Sequence, residues 1–379
     1  MPDRILTTHV GSLPRPKDVS DMLFAREAGT PVDPAGFDAA VAAAVHQVVA
    51  KQRDAGVDIP SDGEMSKISY ATYISERLTG FSGDSPRRVP ADLLDVPSYA
   101  QKLAKSGGTP SYKRPCCTGA IAVRTMEPLH ADIARFQAAL GAHGYETGFM
   151  NSAAPGVISL FQPNKHYPDD DAYLGALAEA MAVEFRGIVD AGLVLQVDSP
   201  DLGLGRQTMY ADLTEDEFVH RIGAHVAALN AALTGLPPER VRLHLCWGNY
   251  EGPHTRDVPL QRILPTVLGI HAGALSFEGA NPRHAHEWRV WEDVKLPDDK
   301  VIIPGVLDSS TNYVEHPDLV CERLVRYAGL VGRDRVIGGS DCGFSTFAGF
   351  GVVEPDIVWM KLSSLAEGAR RASAILWSH

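Results

Sequence analysis

Eight short apolar segments with strand character mostly alternate with helical segments, and this pattern restricts the possible folds more than any other feature. Strands that alternate with helices form parallel sheets, because each helix returns the chain to the end where the previous strand began. Eight such units close a (β/α)8 TIM barrel, an α/β fold, and 379 residues suit one barrel with an insertion. The predicted strands are Arg4–Val10, Val57–Pro60, Tyr145–Met150, Leu193–Pro200, a run beginning at Leu243, Ala274–Glu278, Lys300–Val306 and Arg335–Cys342.

Helical segments separate most of these strands, and we treat residues 1–379 as a single domain. Thr214 and Glu217 have the spacing of a capping box, which predicts a helix start. From about residue 68 to 140 the pattern loosens, which indicates an insertion between strands 2 and 3. The predicted helices are Phe37–Ala55, Asp171–Asp190, Thr214–Leu233, Gln261–His271, Pro317–Leu330 and Asp356–Leu376.

The charge balance limits the kinds of partner. With 47 acidic and 35 basic residues the net charge is −12, which argues against nucleic acid or an anionic membrane as partner. The N-terminal residues lack a signal-peptide pattern, so we expect a cytoplasmic protein that acts on small molecules. The five cysteines then read as reduced thiols, of which Cys116, Cys117 and Cys321 fit packing roles. A homo-oligomer is compatible with this sequence.

His244 and Cys246 lie two residues apart in a strand-like run that ends at a Gly-Asn turn. Side chains alternate along a strand, so this imidazole and this thiol point to the same side. Glu278 and Cys342 follow two other predicted strands, and strand ends converge on one face of a barrel. These four residues are therefore candidate metal ligands, and mixed imidazole and thiolate ligation favours Zn²⁺.

The predicted ligand set also indicates a chemistry. Two thiolates and a carboxylate would bring three negative charges to a divalent ion, which makes it a poor Lewis acid for water. Such a site is better suited to holding a substrate thiol as a nucleophilic thiolate, because coordination deprotonates the thiol. We therefore expect alkyl transfer to the sulfur of a small-molecule thiol from a methyl or alkyl donor.

Short motifs along the chain resemble the C-terminal catalytic barrel of the cobalamin-independent methionine synthases. They occur in the order found in that family and span nearly the whole sequence. This chain therefore resembles the short members of the family, which have a single barrel. The motifs are Thr7–Pro14, Asp62–Glu64, Pro155–Ile158, Gln196–Asp198, His244–Cys246, Ser276–Glu278, Pro304–Asp308 and Ser340–Gly343.

The resemblance implies methyl transfer from 5-methyltetrahydropteroyltriglutamate to homocysteine, the last step of methionine biosynthesis. It implies zinc bound by the same four residues that the strand-end argument selects. It also implies that a pocket for the amino-acid part of the thiol substrate is lined by Gly11, Ser12, Glu64 and Asp198. Carboxylates suit an ammonium group and backbone N–H groups suit a carboxylate, so the implied pocket agrees with its ligand.

Two departures from the family pattern concern the methyl donor. Where the family has Asp-Ile-His-Ser, this chain has Asp308–Thr311, and Ser310 replaces the His that serves as proton donor. The family's Asp-Glu-Pro is here Asp198-Ser199-Pro200. An amine leaving group needs an acid to protonate it, so another residue must replace that His if folate is the donor. The candidates for this catalytic role are His254, His284 and His286, with Asp198 as a further catalytic candidate.

Other functions compete with methionine synthesis. The loops Trp247–Asp257 and Asn281–Trp288 are also similar to those of epoxyalkane:coenzyme M transferases, whose sulfonate substrate would need a cation such as Arg15 or Arg206. A metal-dependent hydrolase or lyase is a second class, with ligands and bases such as Asp62, Asp198 and His9. A zinc-stabilised binding protein without catalytic activity is a third.

Overall fold

A curled parallel sheet of seven strands forms the centre of the protein. The computed structural model describes residues 3–86, 88–105, 113–349 and 351–378. Their strands are β1 Leu6–Thr7, β2 Phe81–Ser82, β3 Cys116–Cys117, β4 Phe149–Ala153, β5 Val194–Asp198, β6 Val241–His244, β7 Ala274–Phe277, β8 Val301–Leu307 and β9 Ile337–Ser340. The central sheet has the order β1-β9-β8-β7-β6-β5-β4, and β2 pairs with β3 in a separate antiparallel ribbon.

Consecutive strands of the central sheet are neighbours, so their C-terminal ends lie along one edge. All six pairings are parallel, and Asp198 of β5 pairs with His244 of β6, which pairs with Ser276 of β7. The strands are apolar and largely buried, as expected for a parallel sheet covered on both faces. This register brings the polar residues that end the strands to the same face.

Helices follow most strands and cover the sheet, with bounds within a few residues of the six that the sequence predicts. Thr214 and Glu217 form both hydrogen bonds of the predicted capping box. The α-helices are α1 Lys17–Glu27, α2 Pro34–Asp54, α3 Ala91–Leu94, α4 Pro97–Lys105, α5 Glu127–Ala142, α6 Pro155–Phe161, α7 Asp170–Asp190, α8 Glu215–Ala232, α9 Leu260–Val267, α10 Val290–Asp293, α11 Pro317–Val331 and α12 Pro355–Leu376. Short 3₁₀ helices span Thr72–Glu76, Pro200–Leu202, Leu204–Gln207, Pro238–Arg240, Glu287–Arg289 and Arg333–Arg335.

The segment predicted as the second strand, Val57–Pro60, lies between β1 and β4 without forming a regular strand. The N–H groups of Asp58 and Ile59 donate to the carbonyl of Thr7 at 3.1 and 3.0 Å. On the other side, the N–H of Phe149 donates to the carbonyl of Pro60 at 2.9 Å, and Ser61 forms an isolated parallel bridge with Phe149. This segment therefore links the two outer strands of the seven-stranded sheet.

The stretch 68–140, predicted as an insertion, has two parts. Residues up to about 126 form short elements, including the β2-β3 ribbon, α3 and α4. The remainder is α5, a regular helix whose buried face includes Leu129, Ile133, Phe136 and Leu140. These residues recur at helical spacing, so the periodicity of this part is a helix signal that the sequence interpretation missed.

The interior below the strand ends contains a polar layer built around Arg242. This side chain is buried, and its Nε donates to Gln196 at 2.6 Å while its guanidinium lies 3.6 Å from the centre of the Phe149 ring. His9 next to it bonds Gln52 at 2.8 Å. Burial lowers the pKa of His9 to about 3, so its imidazole is neutral in the core. Hydrogen bonds thus pair Arg242, Gln196 and His9 within this layer.

In the described part of the chain, no helix is long and apolar enough to cross a membrane.

Arg77 attaches the stretch after residue 68 to two helices of the outer layer, which leads to a stability prediction. Its guanidinium lies 2.8 Å from Asp132 of α5 and 3.0 Å from Glu184 of α7, and all three side chains are buried. Arg77→Ala should lower the free energy of unfolding by about 3–5 kcal/mol, because it leaves the buried Glu184 without its cation and leaves Asp132 with Arg135 alone. Urea denaturation measures this change.

Glu76→Ala is the matched control. Glu76 pairs with Arg26 at 3.1 Å, but 50% of its side chain is exposed, so we expect a loss below about 1 kcal/mol. Equal losses in the two variants would contradict the role assigned to Arg77.

Candidate metal centre and substrate cavity

Three potential metal donors meet where β6 and β9 end. His244 closes β6, Cys246 follows two residues later, and Cys342 comes two residues after the end of β9. The ligand atoms of these three buried residues all lie within 4.8 Å of one another. The sulfurs of Cys246 and Cys342 are 3.6 Å apart, and Cys342 Sγ is 3.8 Å from His244 Nε2. The predicted convergence of strand ends therefore brings these three donors together.

The spacing and surroundings of the cluster fit a tetrahedral zinc ion. Ion–sulfur bonds of about 2.3 Å and ion–nitrogen bonds of about 2.0 Å place two sulfurs about 3.8 Å apart and a sulfur about 3.5 Å from the nitrogen. The observed separations of 3.6 and 3.8 Å are close to these values. Nδ1 of His244 is also buried without a hydrogen-bond partner among the described residues. Nδ1 therefore remains available to another group, whereas Nε2 faces Cys342 Sγ.

Burial and mutual contacts keep Cys246 and His244 uncharged in the absence of a cation. The contact with Cys342, followed by burial, raises the pKa of the Cys246 thiol well above its usual value. Burial and the nearby Arg242 lower the pKa of His244 to about 3, which keeps the imidazole in the neutral form that binds metals. Two adjacent thiolates repel each other, and a divalent cation reverses that preference because it deprotonates coordinating thiols. The chemistry of these donors thus suits a soft divalent metal.

Glu278, the fourth predicted ligand, lies beside this cluster but is not part of the group of three. Its Oε1 accepts the N–H of Trp247 at 2.8 Å, and its Oε2 accepts the side-chain amide of Asn281 at 2.7 Å. Burial, followed by the proximity of Cys246, raises the pKa of Glu278 well above its usual value. The carboxylate is thus close enough to Cys246 to influence it electrostatically, while protein donors hold both of its oxygens.

Asp341 holds the backbone that carries Glu278. Its Oδ1 accepts the N–H groups of Gly279 and Ala280, each at 2.8 Å, and its Oδ2 accepts the N–H of Asn281 at 2.8 Å. Asp341 precedes Cys342, so one short segment supplies a metal donor and also orients the loop after β7. Such supporting hydrogen bonds keep ligands in place.

A cavity of about 670 Å³ opens at this face, a volume typical of small-molecule sites. Its lining includes the three donors of the cluster together with Ser12, Glu64 and Asp198. Six of the residues selected from the sequence therefore face one cavity. Glu278 and Gly11 are not among the lining residues.

Glu64 is presented to the cavity by a strained turn. Glu64 and His254 are the non-glycine residues of the described chain with a left-handed backbone, at φ of 58° and 51°. Such conformations are retained where the surrounding structure enforces them, often at functional sites. Oε2 of Glu64 is buried without a hydrogen-bond partner among the described residues, and burial raises the pKa of this carboxyl to about 7. An unpaired buried carboxylate is a favourable site for a cationic ligand.

Asp198 ends β5 and is fixed by two amide side chains. Asn151 donates to its Oδ2 at 2.9 Å, and Gln196 donates to its Oδ1 at 2.8 Å. Burial raises the pKa of Asp198 to about 6 in spite of these bonds, which act in the opposite direction. A Cβ at Gly11, where φ is 138°, would lie 2.2 Å from Asn151, so glycine allows Asn151 to reach Asp198.

Two of the three predicted proton donors, His254 and His284, are buried and lie outside the cavity lining. His254 is buried, and its ring nitrogens contact Asp257 at 3.0 Å and the carbonyl of Tyr250 at 3.1 Å. His284 contacts Asp257 at 3.1 Å and lies 4.0 Å from Oε2 of Glu278. Neither histidine lines the cavity, and His286 is exposed. Their role as catalytic acids stays a prediction.

The segment Asp308–Thr311, which replaces the family's His-containing motif, is closed on itself. Oδ1 of Asp308 accepts the N–H of Ser310 at 2.8 Å and its hydroxyl at 2.7 Å. Arg15 and Arg206, the predicted sulfonate-binding cations, do not line the cavity, whereas Arg88 and Arg114 do.

The sequence interpretation did not identify several residues of the site. Gln196 and Asn151 hold Asp198, and the position of Gln196, two residues before Asp198 in an apolar strand, was a usable signal for a shared face. Ser85, Leu93, Leu103 and Tyr250 line the cavity through tertiary contacts, for which the local sequence carries no signal.

Comparisons with known proteins agree with this architecture. Residues 5–354 match the family described as cobalamin-independent synthase, catalytic domain. The methionine synthase of Saccharolobus solfataricus is 24% identical over 367 residues, which is 96% of this chain and 93% of that protein. The methionine synthase of Sulfolobus acidocaldarius is 25% identical, covering 89% and 85% of the two chains.

Two solved structures share the fold. A B12-independent methionine synthase from Shewanella sp. W3-18-1 in complex with selenomethionine aligns with a TM-score of 0.72 at 18% identity, covering 97% of each chain. A putative vitamin-B12 independent methionine synthase from Listeria monocytogenes aligns with a TM-score of 0.64 at 17% identity, covering 97% of this chain and 98% of the other.

The cluster predicts the metal content of the purified protein. Elemental analysis should find about one zinc ion per chain, and Cys342→Ser or Cys246→Ser should reduce this content at least about tenfold, since each removes a thiolate ligand. Cys321→Ser is the control, because this cysteine lies on α11 outside the cluster. Unchanged zinc content in Cys342→Ser would rule out this site.

Proposed function

This chain belongs to the cobalamin-independent synthase catalytic-domain family, and on that premise we propose that it transfers a methyl group to the sulfur of homocysteine in a zinc-dependent reaction that yields methionine. One observation carries the proposal: two thiols and an imidazole converge in the same cavity as the unpaired Glu64 carboxylate. The relatives named methionine synthase support methionine as the product.

In this proposal, His244, Cys246 and Cys342 bind zinc, and Glu278 is the predicted fourth ligand. Zinc coordination would keep the substrate sulfur as a thiolate at neutral pH while leaving it nucleophilic. A sulfur lone pair forms the new bond to the methyl carbon, and the bond between that carbon and the donor breaks with its electron pair going to the donor.

The remaining residues bind and orient the amino acid. Glu64 and Asp198 are two buried carboxylates of one cavity, and they would pair with the substrate ammonium group. The fixed position of Asp198 between Asn151 and Gln196 would orient that group relative to the sulfur. Holding reactants in the productive geometry lowers the barrier without further chemistry from the protein.

We also propose that Val57–Ser61 occupies the position of the eighth strand, so that the sheet closes into a (β/α)8 barrel and residues 1–379 form one domain. Hydrogen bonds from this segment to Thr7 on one side and Phe149 on the other support this closure.

Alkylation of a sulfonate thiol such as coenzyme M is a second candidate. It is favoured by one observation, the presence of Arg88 and Arg114 in the cavity lining, because guanidinium groups bind sulfonates. Arg88→Gln should then weaken the binding of coenzyme M and leave homocysteine binding unchanged. Titration calorimetry with both thiols separates the two functions.

Homocysteine binding should depend on Glu64. Replacing the carboxylate that pairs with the ammonium group removes a charged interaction of about 2 kcal/mol, so Glu64→Gln should weaken homocysteine binding roughly 30-fold in calorimetry. Glu251→Gln is the matched control, since Glu251 also lines the cavity but is exposed. If both variants bind homocysteine like the wild type, Glu64 is not part of the amino-acid pocket.

The raised pKa of Glu64 predicts how binding of the product, methionine, varies with pH. Burial brings this pKa to about 7, and only the ionised carboxylate pairs with an ammonium group. Affinity for methionine should therefore fall as the pH drops through 7, with Kd rising roughly tenfold between about pH 7.5 and 6. Methionine is suitable because it has no thiol to titrate. The same slope in Glu64→Gln would show that a different group titrates.

A further inference from the structure

The cap segment, which we define as residues 88–103, forms one wall of the cavity although it lies outside the central sheet. It contains α3 and most of α4. All but one of its lining residues are apolar: Arg88, Val89, Pro90, Leu93, Ala100 and Leu103. The metal donors and Asp198 come from the ends of strands, so the cap segment supplies a chemically different, mainly apolar surface.

A buried carboxylate attaches the cap segment to the loop 247–257, which follows the metal strand and which we call the Trp247 loop. Asp92 is fully buried. Its Oδ1 and Oδ2 both accept the hydroxyl of Tyr250, at 2.8 and 2.9 Å, and its Oδ2 accepts the N–H of His254 at 2.7 Å. Removing this carboxylate would leave the buried N–H of His254 and the partly buried hydroxyl of Tyr250 without this acceptor, which is energetically unfavourable.

Other contacts between the two segments are weaker. Asp95 pairs with Arg256 at 2.7 Å, but 42% and 57% of these side chains are exposed, and exposed ion pairs contribute little. The Tyr99 hydroxyl donates to the carbonyl of Glu251 at an exposed position. Asp92 is therefore the main polar attachment of the cap segment to this loop.

Tyr250 connects this attachment to the metal cluster. Its ring lines the cavity and packs closely on its own loop, since a Cβ at Gly248 or Gly252 would lie 2.8 or 2.2 Å from it. The N–H of Gly248 donates to Cys246 Sγ at 3.2 Å. The partner of Asp92 is thus packed against a residue that contacts a candidate metal ligand.

We propose that Asp92 is a positioning residue that fixes the cap segment against the Trp247 loop and thereby completes an apolar wall for the body of the methyl donor. This inference rests on the proposed function and adds to it the side of the cavity that receives the second substrate. A donor with an extended apolar body packs against this wall, whereas a small electrophile reaches the sulfur without it.

The test compares Asp92→Ala with Asp92→Asn, which keeps one acceptor oxygen, and with the control Asp95→Ala. Hydrogen exchange of the purified protein, followed by mass spectrometry, reports on the two segments. Asp92→Ala should accelerate amide exchange in residues 88–103 and 248–257 about tenfold, because their shared hydrogen bonds are lost. Asp95→Ala should exchange like the wild type, and Asp92→Asn should lie between the two. Unchanged exchange in Asp92→Ala would overturn the proposal.

The rate of homocysteine methylation gives the second readout. It is measured with methyl iodide as a small donor and with 5-methyltetrahydrofolate or methylcobalamin as a larger donor. Asp92→Ala should raise the KM of the larger donor about tenfold and leave the methyl iodide rate within about twofold, with unchanged zinc content. An equal loss of activity with both kinds of donor would show that Asp92 only stabilises the fold, and it would overturn the proposal.

Failure of the proposed function is distinguishable from failure of this inference. If the wild type methylates homocysteine with none of these donors, the proposed function fails, while hydrogen exchange still decides whether Asp92 fixes the wall.

Discussion

The site depends on a close approach of two buried thiols to each other and to an imidazole at the ends of parallel strands. The Sγ atoms of Cys246 and Cys342 are 3.6 Å apart, and both thiols are buried. Two thiolates at this distance repel each other unless a cation lies between them. The positions of these two residues after β6 and β9 therefore favour a bound cation, which supports the proposed chemistry.

Hydrogen bonds hold the loops and strand ends around this cluster. Asp341 orders the loop after β7 through three backbone N–H groups, and this loop carries Glu278. Arg242 and Gln196 fill the layer beneath the strand ends. On the open side, the Trp247 loop is held by Asp92 of the cap segment. Most of these contacts are buried hydrogen bonds, such as those of Asp341 with Gly279 and Ala280, and interactions of this kind hold functional groups in place.

Much of the architecture follows from local patterns. Alternating apolar segments predicted seven strands of the central sheet, and the capping residues Thr214 and Glu217 predicted the start of α8. His244, Cys246 and Cys342 were selected because strand ends converge, and the structure brings them together. The interpretation missed α5, whose apolar spacing was helical, and it gave no sign that His254 lies behind the cavity. The first miss was an error in reading a periodicity that was present, whereas the second concerns a loop path that periodicity does not encode.

The sequence by itself determined the α/β class, the family and three potential donors that the structure brings together, because strand and helix periodicities and ligand types are local properties of the chain. Only the tertiary structure decided which residues face the cavity. It placed Glu64 and Asp198 in the lining, kept Glu278 and His254 outside it, and added the cap segment as a wall. These outcomes depend on contacts between residues far apart in sequence, such as Asp92 with Tyr250, which no local pattern specifies.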